Sequence, residues 1–211
     1  MLNSKRMICL AISSAFFTPQ LYAADGYANL GSLSTYTNPL GTTLSGTDDS
    51  SSGFYNHGSI GTLSNLGTIT SNNGVSTVGN GLFNNGTITT VNNSGTISGR
   101  IGVFQYINPI NSFINSGLVT GTDNAFYIYT PNGTIGSLTN TSTGQITSPI
   151  YLNNTLSNLS NQGSISAAGA TTAIEIQSDG QTARKEDKWQ QKRKTVAGGI
   201  SSTCTPRIMG R

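Results

Sequence analysis

Aliphatic and β-branched residues alternate with Asn and Gly along most of this chain, and one phrase keeps returning. It consists of an Asn, usually one further residue, and then Gly, Thr and Ile. Full copies occupy residues 65–69, 85–88 and 93–97, and looser copies begin at residues 57, 115, 132, 143 and 161. Asn and Gly tolerate positive φ and therefore favour turns, whereas Thr and Ile favour extended backbone. The phrase predicts a turn leading into a short strand.

The spacing of the phrase predicts how these strands are arranged. Copies about nine residues apart pair into units of roughly 20 residues, a size that suits one coil of a β-solenoid. We therefore predict an all-β fold, a right-handed parallel β-helix (β-solenoid) over residues 24–181. A disordered linker is the alternative, but a linker has no reason to phase its isoleucines. The side chains expected to point inward are Ile60, Ile69, Ile88, Ile97, Val119, Ile135, Ile146 and Ile165.

The remaining apolar positions refine this picture. Residues 26–56 carry a weaker pattern, built on Leu30, Leu33, Leu40 and Leu44, which indicates an N-terminal cap or a degenerate first coil. Residues 99–116 are interpreted as an insertion between corners, and residues 123–129 and 149–152 as strands on the longer side of the coils. The aromatic residues are expected to stack in or over the core, and a carbohydrate-binding face is the alternative.

The two ends of the chain differ from the repeats. Residues 1–23 combine Lys5 and Arg6 with a short apolar run and end in Ala23, the pattern of a signal peptide cleaved after that alanine. Residues 182–211 form a basic tail, predicted to be disordered or the product of a reading-frame change. Nucleic-acid binding by the tail is not expected behind an export signal. Its bases are Arg184, Lys185, Lys188, Lys192, Arg193, Lys194, Arg207 and Arg211.

Composition leaves few groups for chemistry, since only 9% of residues are charged and there is one histidine. His57 is interpreted as taking the Asn place of a corner. Asp48 and Asp49 are interpreted as a solvated loop, and the other carboxylates are too scattered to predict a glycosidase pair. The two cysteines lie in the signal segment and the tail, so the repeats hold neither disulfide nor zinc cluster. We therefore predict no catalytic residue, no cofactor-binding residue, no metal ligand and no enzymatic activity.

The signal segment followed by the run at residues 58–69, GSIGTLSNLGTI, resembles the passenger region of bacterial autotransporters over about residues 1–180. The resemblance implies an exported β-helix of the adhesin type, with a host or surface glycan or protein as partner. Members of that family end in a transmembrane β-barrel, which this sequence does not contain. Without one, no membrane insertion is expected, and the product should remain in the periplasm unless a translocator brings it to the cell surface.

Two other functions stay open on sequence grounds. One is a β-helix enzyme that acts on carbohydrate, which requires carboxylates to converge in a groove. The other is an ice- or crystal-binding solenoid, for which the pairs Thr68-x-Thr70 and Thr87-x-Thr89 are a first indication. A flat rank of Thr-x-Thr pairs on one face would favour the second.

Overall fold

The computed structural model describes residues 25–48, 50–71, 79–129, 132–167 and 170–176, together with the backbone of three short strands in the tail. The signal segment and most of the tail lie outside the described residues. The described residues form 22 strands and no helix, and none of them belongs to a helix long and apolar enough to cross a membrane. In chain order the strands are β1 Tyr27–Asn29, β2 Ser32–Asn38, β3 Thr43–Ser45, β4 Phe54–Asn56, β5 Ser59–Asn65, β6 Thr68–Thr70, β7 Asn80–Asn84, β8 Thr87–Asn93, β9 Thr96–Ser98, β10 Ile101–Gln105, β11 Ile110–Asn115, β12 Leu118–Val119, β13 Asn124–Ile128, β14 Thr134–Asn140, β15 Gln145–Ile146, β16 Ile150–Leu152, β17 Thr155–Asn161, β18 Ser164–Ile165, β19 Ile174–Ile176, β20 Lys194–Val196, β21 Gly199–Ser201 and β22 Thr203–Cys204.

Three parallel sheets run along the molecule and make it a β-solenoid. The first sheet has the order β1-β4-β7-β10-β13-β16-β19, the second β2-β5-β8-β11-β14-β17-β22, and the third β18-β15-β12-β9-β6-β3. Each coil takes one strand from each sheet, so β1–β18 make six coils and β19 starts another. The pairing within β1–β19 is parallel in every sheet, which confirms the predicted fold class. In the tail, β20 pairs with β21, and β22 joins the second sheet antiparallel to β17.

The core is a narrow column of aliphatic and phenylalanine side chains. Seven of the eight side chains predicted to point inward are buried, and Ile165 is partly buried against the same core. Phe54, Phe113 and Phe126 are fully buried as well, and the rings of Phe113 and Phe126 meet edge to face with centroids 5.0 Å apart. Burial of this apolar area is the main driving force for stacking the coils.

Asparagine ladders support the two corners that flank the second sheet. At the corner after the second sheet, the side-chain Nδ2 of each Asn donates to the Oδ1 of the next one over 2.7–2.8 Å. The members of this ladder are Asn38, Asn65, Asn93, Asn115, Asn140 and Asn161. A shorter ladder at the corner before the second sheet joins Asn29, Asn56, Asn84 and Gln105. The recurring Asn is therefore kept for its side-chain amide, which satisfies buried polar groups from coil to coil.

The corner glycines are required for a different reason from the one predicted. Among the described glycines, Gly41 is the one with positive φ, at 78°. At Gly86, a Cβ atom would overlap the carbonyl oxygen of Gly58 in the preceding coil, and Gly95 stands in the same relation to Gly67. Close approach of the backbones, rather than an unusual φ, thus excludes larger residues at these corners.

Two further predictions need correction. The coils are longer than the predicted 20 residues, because successive asparagines of the longer ladder are separated by 21 to 28 residues. Residues 99–116 are not an insertion: β10 pairs with β7 and β13 in regular register, and β11 does so with β8 and β14. Residues 26–56 contain a regular first coil, in which Leu33 and Leu44 pack against the core while Leu30 and Leu40 are exposed.

Candidate functional site

A row of aromatic side chains covers the outer face of the first sheet. In the strands of this sheet, side chains alternate between the core and the exterior, so Phe126 points inward and Tyr127 outward. The register places one outward ring in each of five successive coils. We call this row the aromatic strip; it consists of Tyr55, Phe83, Phe104, Tyr127 and Tyr151.

Neighbouring rings of the aromatic strip are in contact along its whole length. Their centroids are 5.1 Å apart from Tyr55 to Phe83 and again from Phe83 to Phe104. The next two separations are 5.3 Å and 4.8 Å. The angles between the ring planes vary from 10° to 78°, and all five residues are only partly buried. The strip is therefore a continuous ring surface, and each ring is still partly accessible to solvent.

A second, shorter row widens the strip at the corner before the second sheet. Tyr106 and Tyr129 stack on each other with centroids 5.3 Å apart and an interplanar angle of 23°. They lie 5.8 Å from Phe104 and 6.0 Å from Tyr127, respectively. Two coils therefore present a platform two rings wide, which is the broadest part of the aromatic surface.

His57 belongs to this surface and does not occupy the Asn place of a corner. The ladder position in its coil is held by Asn56, which accepts from Asn29 and donates to Asn84. His57 is the residue after it, is exposed, and stacks on Tyr55 with centroids 6.4 Å apart and planes 13° apart. The interpretation from sequence was wrong because several corners insert one residue between the ladder Asn and the Gly, and His57 is such a residue.

Charge is sparse around the aromatic surface. Glu175 follows Tyr151 in the register of the first sheet, at one end of the strip. The pKa of Tyr151 is raised by desolvation and, to a smaller extent, by Tyr127 and Glu175, so this phenol is neutral at neutral pH. The ion pair of Arg100 and Asp123, with Nη1 and Oδ2 2.8 Å apart, lies just before the first-sheet strands begin. Within the part of the chain that the structure describes, the middle of the strip therefore carries no charged side chain.

The remaining carboxylates have separate local roles. Asp48 accepts hydrogen bonds from the backbone N–H and hydroxyl of Ser50, and these bonds lower the pKa of Asp48. Asp25 accepts from the backbone N–H of Ser52, but desolvation dominates and raises the pKa of Asp25. Within the described ranges, no three His, Cys, Asp or Glu residues come together in a group that could hold a metal ion. Asp49 and Asp179 lie outside those ranges.

The outer face of the third sheet presents hydroxyl groups. Ser45 aligns with Thr70 and Thr70 with Ser98, and the hydroxyl of Ser98 donates to that of Thr70 over 2.9 Å. At the position of Thr96, the next two coils have Leu118 and Gln145 instead of Thr. On the second sheet, Thr87 aligns with Ser59, so this position is not Thr in every coil. The Thr-x-Thr pairs seen in sequence therefore do not form a complete rank on either face.

The aromatic surface is a feature that the repeat phrase could not reveal, since none of its rings belongs to the Gly-Thr-Ile part. A signal was present in the sequence, because the same three-residue pattern recurs: Gly or Ala, then an inward apolar residue, then an aromatic residue. It ends at Phe83, Phe104 and Tyr127. Comparisons of the chain with models of protein families, with curated proteins and with solved structures give no match.

Proposed function

We propose that this chain is the solenoid body of an exported binding protein of the adhesin type, similar in architecture to an autotransporter passenger, and that the aromatic strip binds a neutral glycan. The observation that carries the proposal is the run of five contacting outer rings, broadened by Tyr106 and Tyr129. Packing of the core does not require these rings, since the core is filled from the opposite face of the same strands.

The chemistry of the strip suits a sugar chain. The faces of pyranose rings carry C–H groups that pack on aromatic rings, and aromatic side chains offer a large apolar area for such contacts. Binding sites combine such apolar surface with a few polar groups that orient the ligand. The backbone N–H of Tyr106 donates to the preceding coil, and the N–H groups of Asn85 and Asn153 make the equivalent bond in other coils. These two asparagines therefore hold the second-row position in their coils. Their amides can hydrogen-bond to sugar hydroxyls, and the lack of charge favours a neutral ligand.

Binding without turnover is part of the proposal. Glycoside hydrolysis uses two carboxyl groups about 5–10 Å apart, whereas the carboxylate of Asp123 is engaged by Arg100 and Glu175 stands at the end of the strip. The predicted leader places the protein in the periplasm, or at the cell surface if a translocator is supplied.

The experiment is a binding screen on an array of neutral and charged oligosaccharides, followed by calorimetric titration of the best neutral one. Tyr127→Ala and Phe104→Ala are expected to lower the affinity about tenfold or more, since 1.4 kcal/mol corresponds to a factor of ten. Tyr127→Phe keeps the ring and should retain most of the affinity. Thr90→Ala, on the outer face of the second sheet, is the control and should bind like wild type. Absence of any neutral ligand, or equal binding by Tyr127→Ala and Thr90→Ala, would refute the proposal.

A further inference from the structure

The aromatic strip runs along the axis of the solenoid. Its rings share one register position of the first sheet in successive coils, and such a row crosses the strands instead of following one of them. Neighbouring centroids are 4.8–5.3 Å apart, close to the spacing of about 4.8 Å between paired strands. The stacking of the backbone therefore sets the spacing of the rings and keeps it nearly constant along the strip.

A ligand that crossed the strip would meet far fewer rings than one that followed it. Within one coil the surface offers two rings, as in Phe104 with Tyr106 and Tyr127 with Tyr129. Along the axis it offers the five rings of the strip. Because the gain from apolar contact grows with the area removed from water, the arrangement favours a long ligand that lies parallel to the axis.

One class of sugar chain has the same repeat as the strip. Pyranoses that are joined through equatorial bonds at opposite ends of the ring form a straight, flat chain. Its repeat is about 5 Å, because each unit crosses one six-membered ring and one bridging oxygen with bonds of about 1.5 Å. Successive sugars therefore fall on successive aromatic rings. A chain with an axial bond at each linkage curves instead, so only one or two neighbouring sugars stay over the strip.

The edges of the strip also suit a flat chain. On one edge, the residues two places before the three central rings are Gly81, Gly102 and Ala125, so these positions add no side chain larger than a methyl group. On the other edge, the second row presents the hydroxyl groups of Tyr106 and Tyr129 and the asparagine amides. Equatorial hydroxyls project from the edges of a flat sugar chain, where these groups can hydrogen-bond to them.

We infer that the aromatic strip binds an unbranched neutral glycan of equatorially linked pyranoses, laid along the solenoid axis with one sugar on each ring. The inference rests on the proposed glycan binding and adds the linkage, the direction and the length of the bound segment. In the register of the first sheet, Ala28 precedes Tyr55 and Glu175 follows Tyr151. The row of rings therefore ends at both places, and the bound segment is five sugars long.

The experiment is calorimetric titration of the purified full-length chain with β-1,4-linked oligosaccharides of glucose and of mannose, two to six units long. The matched series is α-1,4-linked glucose, which has the same sugar and the same linked carbons but the opposite anomer. In the β-linked series, each sugar up to the fifth should raise the association constant about threefold, because one more ring loses contact with water. The sixth sugar should add little, and the α-linked series should stop improving after the second.

Two variants shorten the strip by different amounts. Phe83→Ala leaves a run of three contacting rings, from Phe104 to Tyr151, so the affinity of the β-linked series should stop rising at the third sugar. Tyr151→Ala leaves four rings, and the affinity should stop rising at the fourth. Phe83→Tyr keeps the ring and is the control, with the length dependence of wild type. Circular dichroism confirms that the variants are folded, and a purely structural role of Phe83 would not move the length at which the affinity stops rising.

Several results would overturn the inference. Affinity that stops rising at two sugars in wild type would place the ligand across the strip. Equal binding of the α- and β-linked series, an array on which only branched or α-linked neutral glycans bind, or the same length dependence in wild type and Phe83→Ala would also overturn it. Each of these outcomes leaves glycan binding itself intact. If no neutral glycan binds, the proposed function fails and the inference fails with it.

Discussion

Replacing Asn93 by Ala should unfold this solenoid more readily than any change at an outer position of the same strand. Asn93 is 1% exposed and lies in the middle of the longer ladder. Its Oδ1 accepts from Asn65 over 2.7 Å, and its Nδ2 donates to Asn115 over 2.8 Å and to the carbonyl of Leu118 over 3.2 Å. The substitution therefore affects three coils at once.

The magnitude follows from the partners left behind. Asn65 keeps its hydrogen bond to the carbonyl of Thr96, 3.0 Å away, but loses the shorter bond that it donates to Asn93. The Oδ1 of Asn115 loses the donor that the ladder supplies. Each buried group without its partner costs about 1–3 kcal/mol, so the loss is about 2–6 kcal/mol. Domains of this kind are stable by about 5–15 kcal/mol in total, and the variant is expected to lose a large fraction of that.

The assay is urea unfolding followed by circular dichroism, with Asn92→Ala as the matched control. Asn92 is the same residue type in the same strand, but it is exposed on the outer face, so its replacement should change stability by less than about 0.5 kcal/mol. Repeat proteins are coupled through neighbouring units, so a broad or split transition in Asn93→Ala would also be consistent with a weakened interface between coils. Equal midpoints and equal transition widths for Asn93→Ala and Asn92→Ala would refute the reasoning.

Five further outcomes are expected. Phe126→Ala, at a fully buried position, should lower the unfolding free energy by about 3–5 kcal/mol in the same urea assay. Gly86→Ala should lower the melting temperature markedly, because its Cβ would overlap a carbonyl of the preceding coil; a wild-type melting temperature would contradict the close approach. Burial raises the pKa of Asp25 above its ordinary 3.8, so the stability it contributes is fully present below pH 3.8 and is lost as pH rises through the folded-state pKa. Asp25→Asn should therefore raise the urea midpoint at pH 7 and not at pH 3, whereas Asp48→Asn, whose carboxylate has a lowered pKa, should lower the midpoint slightly at pH 7 and not at acid pH. Export should remove residues 1–23, and N-terminal sequencing of the periplasmic product should begin after Ala23; a product that retains Met1 would contradict this.

The sequence predicted the interior of the solenoid better than its exterior. Inward positions such as Ile69 and Ile97 repeat because every coil must fill the same core, so they are visible as a phrase. Coil length was underestimated, because the turns between the third and first sheets vary in length and carry no fixed phrase. The exact ladder residue was also ambiguous where two Asn residues adjoin, as at Asn84 and Asn85, and hydrogen bonds identify Asn84.

The candidate site was only partly accessible to sequence reasoning. Aromatic residues were expected in or over the core, and both places occur: Phe126 is in the core and Tyr127 is outside it. Alternation within one strand tells that neighbours face opposite sides, but it does not tell which outward residues meet between coils. That requires the register, which brings together Phe104 and Tyr127 although 23 residues separate them. Register depends on turn lengths, and these were the least predictable feature of the sequence.

The three outer faces differ in a way that stacking of coils does not explain. All three sheets bury aliphatic side chains against one core, and all are held by the same parallel backbone bonds. Their outward positions are free of that constraint, and on the second and third sheets they hold mainly small polar residues such as Thr90 and Thr70. The first sheet instead places contacting rings there in five coils. Cross-coil stacking adds some stability, but it does so at the cost of exposing aromatic surface to water, which a purely structural face would avoid with Thr or Ser. The glycan binding that we propose would explain why the rings occur on this face alone.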